Sequence, residues 1–130
     1  MGYSVPAELS AAFVHPDRPE LSIVGDGDFT TTVNELETAR RMDVKPLLVV
    51  LVDQSLAIIK LAQDLRGLKH RCVDFKPVDW PQVFTGFGVR SHVAETLLDV
   101  QAVVTDWLAN PALTVLAVPI DAALYAGLAH

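Results

Sequence analysis

Cysteine occurs once in the 130 residues, at Cys72, so no internal disulfide can brace the chain, and a reducing, cytoplasmic setting is the default expectation. Basic residues are scarce: ten Lys and Arg face sixteen Asp and Glu, for a net charge of −6, with no basic run. Nucleic-acid surfaces are usually basic, so no nucleic-acid partner is expected. The longest unbroken apolar run, Leu47 to Val52, is far short of the roughly 20 residues that cross a bilayer, and no membrane association is expected. The N-terminus lacks the basic start and cleavable apolar stretch of a secretion signal. His15, His70, His92 and His130 show no metal-ligand spacing. What is there is a chain with 51% hydrophobic residues, enough for one domain over 1–130 with its own core.

Helix-type and strand-type patterns alternate along the chain without a linker or repeat. A helix is predicted from about Pro6 to Val14, ended by His15-Pro16, because a proline disfavours helix in the residue before it. A strand follows at Leu21–Gly25. Thr32-Val33-Asn34-Glu35 fits a capping box, with Val33 and Leu36 opening the apolar face of the next helix. Pro46 opens a second strand, Leu47–Val52, and a short helix runs through Leu56, Ile59 and Leu65 to an extended segment at Cys72–Phe75. After a helix from Trp80 to Phe84, the glycines of Gly86-Phe87-Gly88-Val89-Arg90 read as flanking a short strand. Val93, Leu97, Val100, Val104 and Trp107 form one stripe of a helix over Val93–Leu108, ended by Asn110-Pro111. A last strand, Leu113–Val118, leads to Asp121 and a terminal helix. The alternation predicts an α/β fold, a three-layer α/β/α arrangement around a parallel sheet. Cys72, Trp80 and Trp107 read as packing residues, and Arg40-Arg41 as the solvated end of a helix.

Two carboxylates stand out against this frame. Asp26 and Asp53 each follow the end of an apolar strand, with a crossover helix between, so both fall at one edge of the sheet. That edge is where open α/β sheets bind ligands. Paired acidic oxygens beside the Gly25-Asp26-Gly27 turn suit a hard divalent cation that keeps positions for water and phosphate oxygens.

Gly25-Asp26-Gly27, then 25 residues, then Asp53, resembles the thiamine diphosphate motif of thiamine-dependent enzymes, which runs from Gly-Asp-Gly to an Asn-Asn or Asn-Asp pair. The likeness extends further. Met1-Gly2-Tyr3-Ser4-Val5-Pro6-Ala7 is similar to a Met-Gly-Tyr-x-Leu-Pro-Ala segment of the acetolactate synthase-like branch, and His15-Pro16-Asp17-Arg18-Pro19 follows in the expected place. Val73-Asp74-Phe75, Asp79-Trp80, Phe87-Gly88-Val89 and Val118-Pro119-Ile120-Asp121 with Tyr125 recur in the same order.

The resemblance implies a thiamine-diphosphate-binding fold that lacks its first strand, because the chain opens directly on a helix. It also implies roles. Asp26, Asp53 and the main-chain carbonyl of Ser55 would hold Mg²⁺; backbone groups of Gly25, Gly27, Asp28 and Phe29 would lie against the diphosphate, helped by a helix N-terminus near Thr32. Met1 falls where the family places an apolar prop for the bent cofactor, and Gly2 beside it joins the binding set. The implied chemistry is decarboxylation or carboligation of a 2-oxo acid, with the catalytic Glu supplied by a pyrimidine-binding domain, commonly of another subunit, in a dimer or higher oligomer. None of the Glu residues here matches that position, so no catalytic residue is assigned. The chain departs from the pattern at Val52, where the first Asn is expected, at Asp28, where a small neutral residue is common, and in having Met1 as its first residue. Asp28 is expected either to face the diphosphate, with a repulsive effect, or to cap a helix from outside the site. A non-catalytic interaction or remnant domain is the alternative reading.

Overall fold

The computed structural model describes residues 1–123 and 125. Ten elements follow in order: α1 (Ser4–Val14), β1 (Leu21–Gly25), α2 (Asp26–Thr30), α3 (Glu35–Arg41), β2 (Leu47–Val52), α4 (Ala57–Leu65), α5 (Trp80–Gly86), β3 (Arg90–Val93), α6 (Leu97–Ala109) and β4 (Thr114–Pro119). The four strands form one parallel sheet in the order β1-β2-β4-β3, with Gly25 opposite Leu51 and Leu47 opposite Thr114.

Burial explains the order. In β2, Leu47, Leu48, Val49 and Val50 are all buried, the two-sided burial of a central strand in a covered parallel sheet. On one face α1, α2, α3 and α5 pack Val5, Leu9, Phe29, Leu36, Trp80 and Phe84 against Val24, Leu48, Val50, Val115 and Ala117. Phe29 stands edge-on to Trp80 and Phe84, at centroid distances of 5.6 and 5.9 Å, a favourable aromatic geometry. On the other face Trp107 of α6 meets Leu47, Val49 and Leu116, and its indole N–H donates to the Lys45 carbonyl at 3.0 Å. The expected α/β/α layering is therefore present, with both tryptophans in packing roles.

Several local expectations are corrected. Thr32 does not cap a helix: its hydroxyl turns back to the Phe29 carbonyl, α3 has Asn34 at its N-cap without a side-chain bond, and an unpredicted helix, α2, begins at Asp26. The complete capping box lies at Thr96 and Asp99 and opens α6. The segment expected as a strand after Gly86 is instead the end of α5. Gly88 has φ +67°, its N–H donates to Thr85 O and that of Val89 to Phe84 O, a Schellman closure. The strand itself is Arg90–Val93, so Val93 belongs to β3 and is half exposed, while Leu97 at the start of α6 is also exposed. Cys72 is not a core residue but lies exposed at φ +56°. In the Cys72–Phe75 segment, Asp74 forms an antiparallel bridge to Ser55. The expected terminal helix falls largely on residue 124 and residues 126–130, and His130 with it, outside the described residues.

Candidate functional site

The parallel pairing of β1 with β2 brings their C-terminal ends side by side, and the chain turns at each end into a carboxylate. Asp26 is the first residue of α2 and only 3% exposed. Its Oδ2 accepts from the Gln54 N–H at 2.9 Å, a bond that the φ of +58° at Gln54 helps to aim. Asp53 Oδ1 accepts from the Ser55 N–H at 2.8 Å and from the Ser55 hydroxyl at 3.2 Å. Burial pushes the Asp26 carboxyl above the usual carboxylate range; the Gln54 hydrogen bond opposes the rise, and the neighbouring Asp53 adds to it. A buried carboxylate with a second carboxylate beside it is a setting that a divalent cation relieves.

Ser55 is buried, and its bridge to Asp74 is closed by Leu56 N–H to Val73 O and Phe75 N–H to Gln54 O. In that pattern the N–H and C=O of Ser55 itself point away from Asp74, and its N–H is the group that reaches Asp53. Lys60 braces the same bridge through an ion pair to Asp74 at 2.6 Å.

Met1, Gly25, Asp26, Gly27, Asp28, Asp53 and Ser55 line one groove of about 330 Å³, walled also by Leu56, Ile58, Ile59 and Tyr125. The structure thus gathers seven of the nine residues singled out from sequence. Phe29 is not among them: its side chain is fully buried in the aromatic cluster. Gly2 lies outside the lining too, at φ +77°, with its N–H donating to Asp28 Oδ1. A Cβ on Gly27 would stand 2.8 Å from Leu56 Cδ2 and 3.4 Å from Phe75, so glycine keeps this wall thin.

The helix capping weighed for Asp28 is not found. Its carboxylate caps no helix and is taken up by Gly2 N–H and, at 3.0 Å, by the Ser4 hydroxyl. Sequence reasoning also left Tyr125 out of the site, although it belongs to the matched pattern. Tyr125 lines the groove beside Asp53, and burial followed by the charge of Asp53 raises its phenol above the ordinary value. Among the described residues there is no cluster of three His, Cys, Asp or Glu side chains that could hold a metal alone. Two carboxylates and a carbonyl leave several positions of an octahedral ion for other oxygens, as Mg²⁺ prefers. No described helix is long and apolar enough to cross a membrane.

Comparison with known proteins places this geometry. Residues 1–118 match the family described as "Thiamine pyrophosphate enzyme, C-terminal TPP binding domain". An alpha-keto-acid decarboxylase of Mycobacterium avium (strain 104) is 33% identical over 94 residues, 72% of this chain and 16% of that protein. A catabolic acetolactate synthase of Raoultella terrigena is 27% identical over 121 residues, 93% of this chain and 22% of that protein. The solved benzoylformate decarboxylase of Polynucleobacter necessarius shares the fold, with a TM-score of 0.85 at 23% identity over 93% of this chain and 24% of that one. The chain therefore spans about a sixth to a quarter of the length of these relatives.

Proposed function

The chain belongs to the family of C-terminal thiamine pyrophosphate-binding domains of thiamine pyrophosphate enzymes, and on that premise we propose that it binds thiamine diphosphate through Mg²⁺ as the diphosphate-holding part of a 2-oxo acid decarboxylase or carboligase of acetolactate synthase-like type. The observation that carries the reading is the buried Asp26 beside Asp53, at the ends of neighbouring parallel strands and over one groove. Asp26 and Asp53 each offer a carboxylate oxygen to the ion, and Ser55 its main-chain carbonyl, on the side of the bridge that faces Asp53. Gly25 and Gly27 let a diphosphate approach the backbone, and the half-charges of the first turn of α2 add to the cation's attraction. Ser55 holds Asp53 in place through its N–H and hydroxyl. Met1, Leu56, Ile58 and Ile59 give the rest of the groove an apolar wall.

Bound there, the cofactor supplies an electron sink for the charge left when a 2-oxo acid loses carbon dioxide. Among the described residues no Glu lines the groove. The proton-relaying carboxylate is thus assigned to a pyrimidine-binding domain, which the greater length of the relatives can accommodate, in an assembly of at least two subunits.

Thermal unfolding tests the reading against a remnant or interaction domain. Saturating thiamine diphosphate with Mg²⁺ should stabilise the chain by about 2.7 kcal/mol at a hundredfold excess over Kd. No shift in melting temperature at any accessible concentration would leave the interaction-domain reading in its place.

A further inference from the structure

Asp28 holds a carboxylate close to where the proposed reading brings a diphosphate, yet both of its oxygens are engaged elsewhere. Oδ1 accepts from the Gly2 N–H and Oδ2 from the Ser4 hydroxyl at 3.0 Å, two contacts with a segment 24 and 26 residues away in sequence. Hydrogen bonds to an ionised carboxylate are stronger than neutral ones, so this pair can fix a short segment that would otherwise be free. Ahead of Val5, the first buried residue of α1, little besides Asp28 fixes the segment: Tyr3 makes no side-chain capping bond and is largely exposed, and the Met1 amino group itself lies 4.0 Å from Asp28 Oδ1. Gly2 takes a φ of +77°, and that turn sends the chain back from Asp28 to Met1 on the groove wall. Met1 is 80% exposed, so little packing holds it there.

We propose that Asp28 is a positioning residue: by fastening Gly2 and Ser4 it holds Met1 on the rim of the groove, where the Met1 side chain meets the part of the cofactor beyond the diphosphate. The inference rests on the cofactor reading above. It accounts for a carboxylate beside an anion site, because both oxygens are engaged by donors of the N-terminal segment. It also separates two contributions to affinity, since the carboxylates of Asp26 and Asp53 act on the diphosphate while Asp28 acts only through Met1.

The test compares the 130-residue wild type with Ser4→Ala, Asp28→Ala and Asp28→Asn, labelled with ¹³C in the methionine methyls. The chain contains two methionines, Met1 and Met42, so the second serves as an internal control for folding. In the ligand-free protein, Asp28→Ala should move the Met1 methyl resonance to its free-chain position and sharpen it while leaving Met42 unchanged; Asp28→Asn, which keeps one acceptor, should fall between. In calorimetry with Mg²⁺, Asp28→Ala should weaken thiamine diphosphate about tenfold, because the competent arrangement of the segment becomes a minor one, and inorganic pyrophosphate by less than about twofold. An unmoved Met1 methyl in Asp28→Ala overturns the proposal. So does tighter binding of both ligands, which would show that Asp28 repels the diphosphate. If the wild type binds neither ligand, the cofactor reading fails by itself, and the methyl comparison still decides whether Asp28 fixes the segment.

Discussion

A carboxyl group that is 3% exposed and has a second carboxylate for a neighbour destabilises the fold that holds it. The sign follows from linkage. Because the folded-state pKa of Asp26 is raised above 3.8, the folded chain holds this proton more tightly than the unfolded one, and the group is most favourable to folding below the unfolded value. Its contribution is lost as pH rises through the folded value. In the absence of metal, Asp26→Asn should therefore raise the melting temperature at pH 7 and flatten its dependence on acid pH. With thiamine diphosphate and Mg²⁺ the order should reverse, since only the wild type gains from the ligand. Differential scanning calorimetry from pH 4 to 8 measures both effects, and a metal-free Asn variant less stable than wild type would contradict the account. At this scale the sequence was informative where placement follows strand ends, as for Asp26 and Asp53. It was silent where a role depends on which distant group comes near, as for Asp28 with Ser4 or Tyr125 with Asp53.

Helix ends were harder to read than helix bodies, and the structure gives the reason. Three helices, α3, α4 and α5, close with the same pair of backbone hydrogen bonds around a residue of positive φ, Asp43, Gly67 and Gly88 respectively. Only the glycine marks such a closure in sequence, and a glycine also flanks strands, which is why the end of α5 read as extended. Asp43 carries no such mark. Its φ of +51° costs a residue with a Cβ, so Asp43→Gly should gain about 0.5–1 kcal/mol in urea unfolding, whereas Gly67→Ala, at φ +63° with open space around it, should lose about 1 kcal/mol. A loss for Asp43→Gly would mean that its side chain makes a compensating contact. Thr32 and Thr96 show the converse ambiguity, for both head a capping-box pattern. Thr32 follows directly on the turn of α2, where its hydroxyl already has a local carbonyl, and Thr96 enters α6 from extended backbone, the conformation a capping side chain needs. Thr96→Ala should accordingly cost about 1 kcal/mol, measured by the same unfolding experiment, and Thr32→Ala should not lose a cap.

As a whole the molecule displays more apolar surface than its core requires. Ile58, Ile59 and Leu65 on α4, Leu97 and Leu98 on α6, and Phe13 and Val14 on α1 are all exposed, and α4 buries no residue completely. Such exposed apolar faces are the kind that mark docking surfaces, and the relatives are a little over four times the length of this chain. The parallel sheet, its layers and the edge that carries the site were legible because hydrophobic runs and strand ends are local signals. Beyond the pairing of β1 with β2, the strand order and the far wall of the groove were not, because they depend on pairings across the whole chain. If the proton-relaying carboxylate comes from another domain, the isolated chain with cofactor, Mg²⁺ and pyruvate should release carbon dioxide no faster than free cofactor, and a pyrimidine-binding partner domain should restore turnover. Faster release by the chain alone, in a coupled decarboxylation assay, would place that group within these 130 residues. The central claim, that a cation joins Asp26 and Asp53 to a diphosphate, is tested most directly by calorimetric titration of the chain with thiamine diphosphate, in Mg²⁺ and again in excess chelator, for wild type and Asp26→Ala. The account predicts saturable binding for the wild type in Mg²⁺ and none in the other three titrations, because without the ion the wild-type diphosphate meets two carboxylates unbridged, and without Asp26 the ion loses a ligand. Equal affinity with and without the chelator would contradict it.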